Sequence, residues 1–303
     1  LPFLQTLVTN DVAKLADNQI LYTPMCYPDG GTVDDLLIYR QGPNDYLLVV
    51  NAANTDKDWA WILEQAEGKN VSLANVSADI AQLALQGPLA EKILAALTDA
   101  PLDALKYYWF WPETTVAGKR VLLSRTGYTG EDGFELYCAP AEATYLWDAI
   151  MTAGAPLGLQ PAGLGCRDTL RFEACLPLYG HELSATISPV EAGLGPFVKP
   201  DKGPFNGRAA LLAQKTDGAP RKLAGFAMVE RGVARADYPV WADGKQIGQV
   251  TTGSYAPTLD KNLGLALVET AQAVVGRTIE IEIRGKLTAA QIVAKPFYKR
   301  EGK

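Results

Sequence analysis

Apolar and polar positions alternate with two different periods along the chain, and the period changes mark its elements. "VDDLLIY" (33–39) and "DYLLVV" (45–50) flank the turn-rich "RQGPN", which predicts a β-hairpin. Trp59, Ile62, Leu63 and Ala66 then recur at helical spacing, with Asn54 or Thr55 as cap and Gly68 as stop. "IAQLALQG" reads as a strand. Gly87-Pro88 opens a helix carrying Leu89, Ile93, Leu94 and Leu97, since proline is tolerated in a first turn. "RVLLSRTGYTGEDGFELYC" predicts two strands around a glycine-rich loop. A helix around Tyr145, Leu146, Ala149 and Ile150 follows, ended by Gly154, and "GLGCRDTLRFEACLPLYG" predicts another, closed by Leu176-Pro177. From about Arg221 onward, short strands at regular spacing and the hairpin signal Asp243-Gly244 predict a small antiparallel barrel. "QKTDGAPRK" (214–222) reads as the linker before it.

One strand contains an anomaly. Asp34 and Asp35 open the run Leu36, Leu37, Ile38, Tyr39, although strands disfavour aspartate. Successive strand side chains point to opposite faces, so each side of the sheet receives one carboxylate. Water can take one of them, and the other needs a reason to be there.

Composition narrows the choice of chemistry. The chain has 303 residues, 48% hydrophobic and 20% charged, which predicts two or three domains with their own cores. A net charge of -6 argues against a broad nucleic-acid-binding face. No apolar run approaches the roughly 18 residues that would span a bilayer, and the start lacks the basic region and cleavage site of a signal peptide. The chain begins at Leu1, so processing or a missing N-terminal piece is expected. The four cysteines, Cys26, Cys138, Cys166 and Cys175, form no C-x-x-C pair and predict a reducing, cytoplasmic setting. The single histidine, His181, rules out a histidine-rich zinc site, and no nucleophile elbow accompanies it.

The glycine patterns carry less. "GLGCRD" lacks the third glycine of a dinucleotide fingerprint, and no P-loop is present. "TGYTGEDG" holds Glu131 and Asp132 at its mouth, which a phosphate cradle would not. It is either an ordinary tight loop or a loop whose backbone approaches a flat ligand, with Tyr128 as a stacking wall. On the helix "CRDTLRFEA", Glu173 shares a stripe with Cys166, Thr169 and Leu170, beside Arg167 and Arg171. This is either a surface salt-bridge network or a carboxylate lining a pocket, where a pterin-like heterocycle would supply two adjacent N–H donors.

"MCYPDGGTVDDLLIY", "LALQGP", "RTGYTGEDGFELY", "GLGCRDTLRFEACLPLYGHEL", "ISPVEAGLG" and "KPFYKR" together resemble the aminomethyltransferase (T-protein) family of the glycine cleavage system, in the right order through the whole chain. The resemblance implies an α+β, three-domain cloverleaf: two mixed α/β lobes (1–80 and 81–213) around a folate site, and a C-terminal antiparallel β-barrel (214–303). It implies transfer of the one-carbon unit from an aminomethyl group on the lipoyl arm of H-protein to tetrahydrofolate, with release of ammonia and no metal. A monomer meeting H-protein transiently is expected, with no membrane and no nucleic-acid partner. Family members carry a further N-terminal segment ahead of the position matching Leu1.

Residue by residue, the resemblance implies that Asp34 is the catalytic carboxylate, pointing into the site, with Asp35 turned away. It matches Glu173 to a pterin-binding glutamate, and Tyr128 and Tyr179 to site tyrosines. It also matches Arg300, Arg235 and Lys202 to basic positions near the ligand. Cys166 and Cys175 replace smaller residues, which the fold tolerates because cysteine packs as a small hydrophobe, and Pro196 replaces a bulkier one. Two alternatives remain: a folate domain serving sarcosine or dimethylglycine oxidation, for which no flavin domain is present, and a folate-binding protein of the same fold without transferase activity.

Overall fold

The computed structural model describes residues 1–300. In the first lobe, α1 (Pro2–Leu7) precedes a three-stranded antiparallel sheet of β1 (Ile20–Cys26), β2 (Thr32–Gly42) and β3 (Asp45–Val49), paired in that order. α2 (Thr55–Ala66) covers one face of this sheet. Phe3, Leu7, Val8, Leu36, Ile38 and Ile62 form the core between them.

The second lobe holds β4 (Ala81–Gln86), α3 (Ala90–Ala95), β5 (Phe110–Val116), β6 (Lys119–Ser124), β7 (Gly133–Cys138) and α4 (Pro140–Gly154). Its strands run β4-β7-β6-β5, all antiparallel. β7 is the strand between β4 and β6, and every one of its residues is buried. The two sheets meet back to back. Ile20 N–H donates to Tyr108 O (2.8 Å) and Phe110 N–H to Asn18 O (3.0 Å). Ile20, Tyr39, Phe110, Leu122 and Tyr137 pack into one cluster across the seam. Tyr39 and Tyr137 share a hydrogen bond of 2.9 Å there, because a buried phenol needs a partner.

α5 (Leu164–Glu173) lies between the lobes and the barrel. The barrel closes over six strands in the order β10-β11-β8-β13-β12-β9. They are β8 (Arg221–Met228), β9 (Pro239–Ala242), β10 (Lys245–Ala256), β11 (Lys261–Glu269), β12 (Thr278–Ile283) and β13 (Lys286–Val293). Closure pairs every edge strand, which removes the exposed edges an open sheet would carry.

Two features differ from the sequence reading. Residues 184–211, expected in the second lobe, pack on the first. Thr32 N–H donates to Ser184 O (2.9 Å), Lys199 N–H to Thr9 O (3.0 Å), and Cys26, Val198, Phe205 and Leu211 share a core. Gly31 shows how closely this segment approaches: a Cβ there would sit 1.9 Å from Ala185 O. The proposed linker is also largely helical. α6 (Arg208–Asp217) runs into it, and only residues 218–220 separate α6 from β8.

The barrel is fastened to α5 by a buried ion pair. The Arg171 guanidinium, 1% exposed, contacts Glu182, 0% exposed, at 2.7 Å and also bonds Asp168. Glu182 accepts from Thr251 Oγ1 and Thr252 Oγ1 of β10, both at 2.6 Å, and from Leu178 N–H at 3.1 Å. The arginines of α5 are therefore not one surface network: Arg167 is exposed and Arg171 is enclosed. Removing one partner strands the other charge. Arg171→Met should destabilise the fold by ~3–5 kcal/mol in chemical denaturation, and adding Glu182→Gln should restore part of that loss.

Candidate active site

Where the two lobes and α5 converge lies an open cavity of about 360 Å³, within the range of small-molecule sites. The first lobe contributes Tyr22, Asp35 and Asn51. The second contributes Tyr107, Tyr108, Thr126, Glu135 and Tyr137, and α5 contributes Arg167. The glycine-rich loop adds Gly127, Tyr128 and Gly130. This loop is both tight and close to the cavity: Cβ atoms at Gly127 and Gly133 would collide with the Gln86 side chain, whose amide bonds Thr126 O (3.1 Å) and Phe134 O (3.3 Å). The walls are aromatic. Tyr22 meets Phe197 edge-on at 4.9 Å, Tyr107 meets Tyr108 at 4.8 Å, and the Arg167 guanidinium lies 4.6 Å over the Tyr128 ring. Tyr128 OH donates to Pro177 O, which fixes the ring.

The two aspartates of β2 stand on opposite faces, and the cavity meets one of them. Alternation along β2 does separate the two, but the cavity is on the other face. Asp35 shares its face with Leu37 and Tyr39, which pack toward the second lobe, and Asp35 lines the cavity. Asp34 shares its face with Leu36 and Ile38, which pack into the first-lobe core, and it is wholly buried beneath α2. Asp34 therefore does not line the cavity. It accepts from Asn51 Nδ2 (2.8 Å), Asn54 Nδ2 (3.0 Å) and Asn51 N–H (3.3 Å).

Asp35 is oriented from two sides. Tyr22 OH donates to its Oδ2 at 2.9 Å and Asn51 Nδ2 to its Oδ1 at 3.0 Å. Burial, and then the charge of Asp34, push its carboxyl up to about 6, against the pull of these two donors. Asp35 is thus protonated below that pH and ionised above it, by about tenfold at neutral pH. A second cavity carboxyl, Glu135, sits opposite on β7. It accepts from Gln82 Nε2 (2.8 Å) and Thr126 Oγ1, and burial raises it. Neither Glu135 nor Tyr22 was singled out from sequence. Glu135 occupies a buried strand position that alternation alone assigns to packing, and Tyr22 a half-buried position on a strand that periodicity does not reveal.

The remaining expected residues are spread more widely. Glu173 is buried at the barrel seam, where its Oε1 accepts from Thr258 N–H at 2.9 Å, and it does not line the cavity. Tyr179 packs behind the cavity wall beside Tyr22, under the Lys57 ammonium at 4.5 Å. Arg300 lies 3.7 Å from Asp132, and its charge reaches the cavity residue Tyr107. Arg235 and Lys202 bond elsewhere in the structure. Arg235 is an exposed barrel residue bonded to Gly253 O (3.2 Å). Lys202 bonds Gln5 O, and burial lowers its ammonium to about 8. Both are outside the cavity because barrel and first-lobe backbone carbonyls hold them elsewhere. No group of His, Cys, Asp and Glu among the described residues could hold a metal ion.

A site built at the meeting of two α/β lobes and a barrel can be set beside known proteins. The description "GCVT N-terminal domain" matches residues 1–202, and "Glycine cleavage T-protein C-terminal barrel domain" matches residues 221–299. The chain belongs to the glycine cleavage T-protein family. It is 60% identical to an aminomethyltransferase of Geobacillus kaustophilus over 99% of this chain and 82% of that protein. It is 57% identical to one of Desulfitobacterium hafniense over 100% of this chain and 82% of the relative. The crystal structure of the glycine cleavage system aminomethyltransferase T from Bartonella henselae superimposes with a TM-score of 0.88, at 30% identity, covering 98% of this chain and 81% of that one. The activity of the chain is accordingly that of an aminomethyltransferase.

Tyr22→Phe removes the phenol that bonds ionised Asp35. The Asp35 midpoint should then rise by about half to one pH unit, measured by carboxyl ¹³C NMR titration with Asp35→Asn as the assignment control.

Proposed function

We propose that the chain transfers the one-carbon unit of an aminomethyl group, carried on the lipoyl arm of H-protein, to tetrahydrofolate, and that the inter-lobe cavity is where this happens. The aminomethyl carbon leaves sulfur and loses its amine as ammonia. It becomes the bridging carbon of 5,10-methylenetetrahydrofolate, and dihydrolipoyl H-protein is the second product. The single observation that carries this reading is an oriented carboxylate, Asp35, set in an aromatic-walled cavity between the lobes.

The fit to a folate is chemical. Tyr22, Tyr107, Tyr108 and Tyr128 offer faces and edges to a flat ring system. Asp35 and Glu135 offer acceptors to a heterocycle rich in N–H groups. Arg167 offers a cation at the rim, suited to the carboxylates of a glutamate tail. Expelling ammonia from an aminomethyl thioether leaves positive charge on the carbon in transit. A fixed carboxylate whose donors are already in place stabilises that charge without reorganising, and Tyr22 and Asn51 hold Asp35 in one orientation. Holding acceptor and donor together in one cavity supplies a further part of the acceleration, by proximity. A cytoplasmic monomer suits four free cysteines and a transient meeting with H-protein.

The test is tetrahydrofolate-dependent ammonia release from aminomethyl-loaded H-protein. Wild-type chain should release ammonia only when both substrates are present. Asp35→Asn should lower turnover by about 10²–10³-fold, while folate affinity, read by calorimetry, changes by less than about tenfold. Equal losses in both would make Asp35 a binding group and sink the catalytic role. Absence of release by the wild-type chain, with folate binding intact, would favour the binding-protein reading.

A further inference from the structure

The chain does not stop at the barrel wall. After β13 it continues through residues 294–300, without helix or strand, and runs back to the loop that lines the cavity. The first part of this tail is fixed to the barrel and to α5. Phe297 meets the Phe172 ring edge-on at 5.5 Å and packs with Leu223, Leu263 and Leu265. It crosses β8 so closely that a Cβ at Gly225 would sit 2.7 Å from its ring. Tyr298 N–H then donates to Glu173 O at 2.8 Å, one of the last carbonyls of α5, which the helix cannot pair by itself.

The second part of the tail reaches the glycine-rich loop between β6 and β7, which lines the cavity with Gly127, Tyr128 and Gly130. That loop is held at two points of different origin. Asp132 is held from within the second lobe: the Arg125 guanidinium grips it through Nε (3.0 Å) and Nη2, and Arg125 also donates to Leu102 O (3.2 Å) and Leu105 O (3.1 Å). Glu131 is reached from outside the lobe. Tyr298 OH donates to its Oε1, and the Tyr298 ring lies beside Gly130, where a Cβ would sit 3.9 Å from Cδ1. Arg300 continues along the same edge, 3.7 Å from Asp132. A hydroxyl bonded to a carboxylate makes a stronger hydrogen bond than one between neutral groups. Tyr128 and Glu131 belong to one short loop, so whatever fixes Glu131 limits where Tyr128 stands. We infer that Tyr298 is a positioning residue: with Glu131 it forms a clasp by which the tail of the barrel holds the Tyr128 wall of the cavity in place for the ligand. For its effect on substrate, this rests on the reading of the cavity as the folate site.

The experiment is hydrogen–deuterium exchange of the free chain, with calorimetry and steady-state kinetics beside it. Tyr298→Phe keeps the ring and removes the O–H. Amides of residues 127–132 should then exchange about tenfold faster, while those of β8 and β13 keep their wild-type rates. The KM for tetrahydrofolate should rise about fivefold, with kcat changed by less than about twofold, because the wall is loosened and the reacting groups are untouched. Glu131→Ala removes the same bond from the loop side and serves where Tyr298→Phe fails to fold. Glu131→Gln, whose amide oxygen still accepts, should restore most of the wild-type exchange. The double variant Tyr298→Phe/Glu131→Ala should exchange no faster than the faster single variant, since both lose one shared bond. Loop exchange at the wild-type rate in Tyr298→Phe, two single effects that simply add, or a rise spread evenly over loop and barrel each overturn the clasp. The exchange arm needs no substrate. A wild-type chain that binds no tetrahydrofolate, with faster loop exchange in Tyr298→Phe, would therefore discard the folate reading and keep the clasp, whereas intact binding with unmoved exchange would discard the clasp alone.

Discussion

The structure depends on how β2 divides its two faces. One face must close the first-lobe core under α2, and the other must meet the second lobe. Because successive residues alternate, the pair Asp34-Asp35 places one acid in each environment. The inner acid is bonded by the amides of Asn51 and Asn54, and the outer one reaches the cavity. A single-residue slip would exchange the two. The register is secured by pairing on both sides, Asp34 opposite Met25 and Asp35 opposite Pro24 on β1, and Leu37 opposite Val49 on β3.

The rest of the architecture keeps that seam in place. Residues 184–211 return to the first lobe, so the lobes are bound by chain crossing as well as by contact. α5 is held to the barrel through Arg171, Glu182 and the two threonines of β10, a fully enclosed set in which each charge has a partner. The barrel does not line the cavity. It holds the helix that carries Arg167 to the rim, and its Thr258 backbone occupies the carboxylate of Glu173.

Much of the architecture was legible from periodicity. The β2–β3 hairpin, α2 with Asn54 as cap, β6 and β7 around their glycine-rich loop, α4, α5 and the barrel strands all fall where period two or period 3.6 places them. β1 was missed because Pro24 interrupts its alternation, and the strand is stabilised by its partner β2. Tyr22 was missed with it, and so was half of the Asp35 clamp. Lys202 and Arg235 were matched to ligand positions by the resemblance alone, and here each bonds a backbone carbonyl instead.

The chain's order of residues determined the elements, the family and the fact that a strand would carry two opposed acids, since these follow from local spacing and from motifs of adjacent residues. Only the tertiary structure decided which acid meets the cavity. Both faces of β2 are equally apolar in sequence, Leu36 and Ile38 against Leu37 and Tyr39, and hydrophobicity does not say whether the neighbour will be a helix of the same lobe or the sheet of the next.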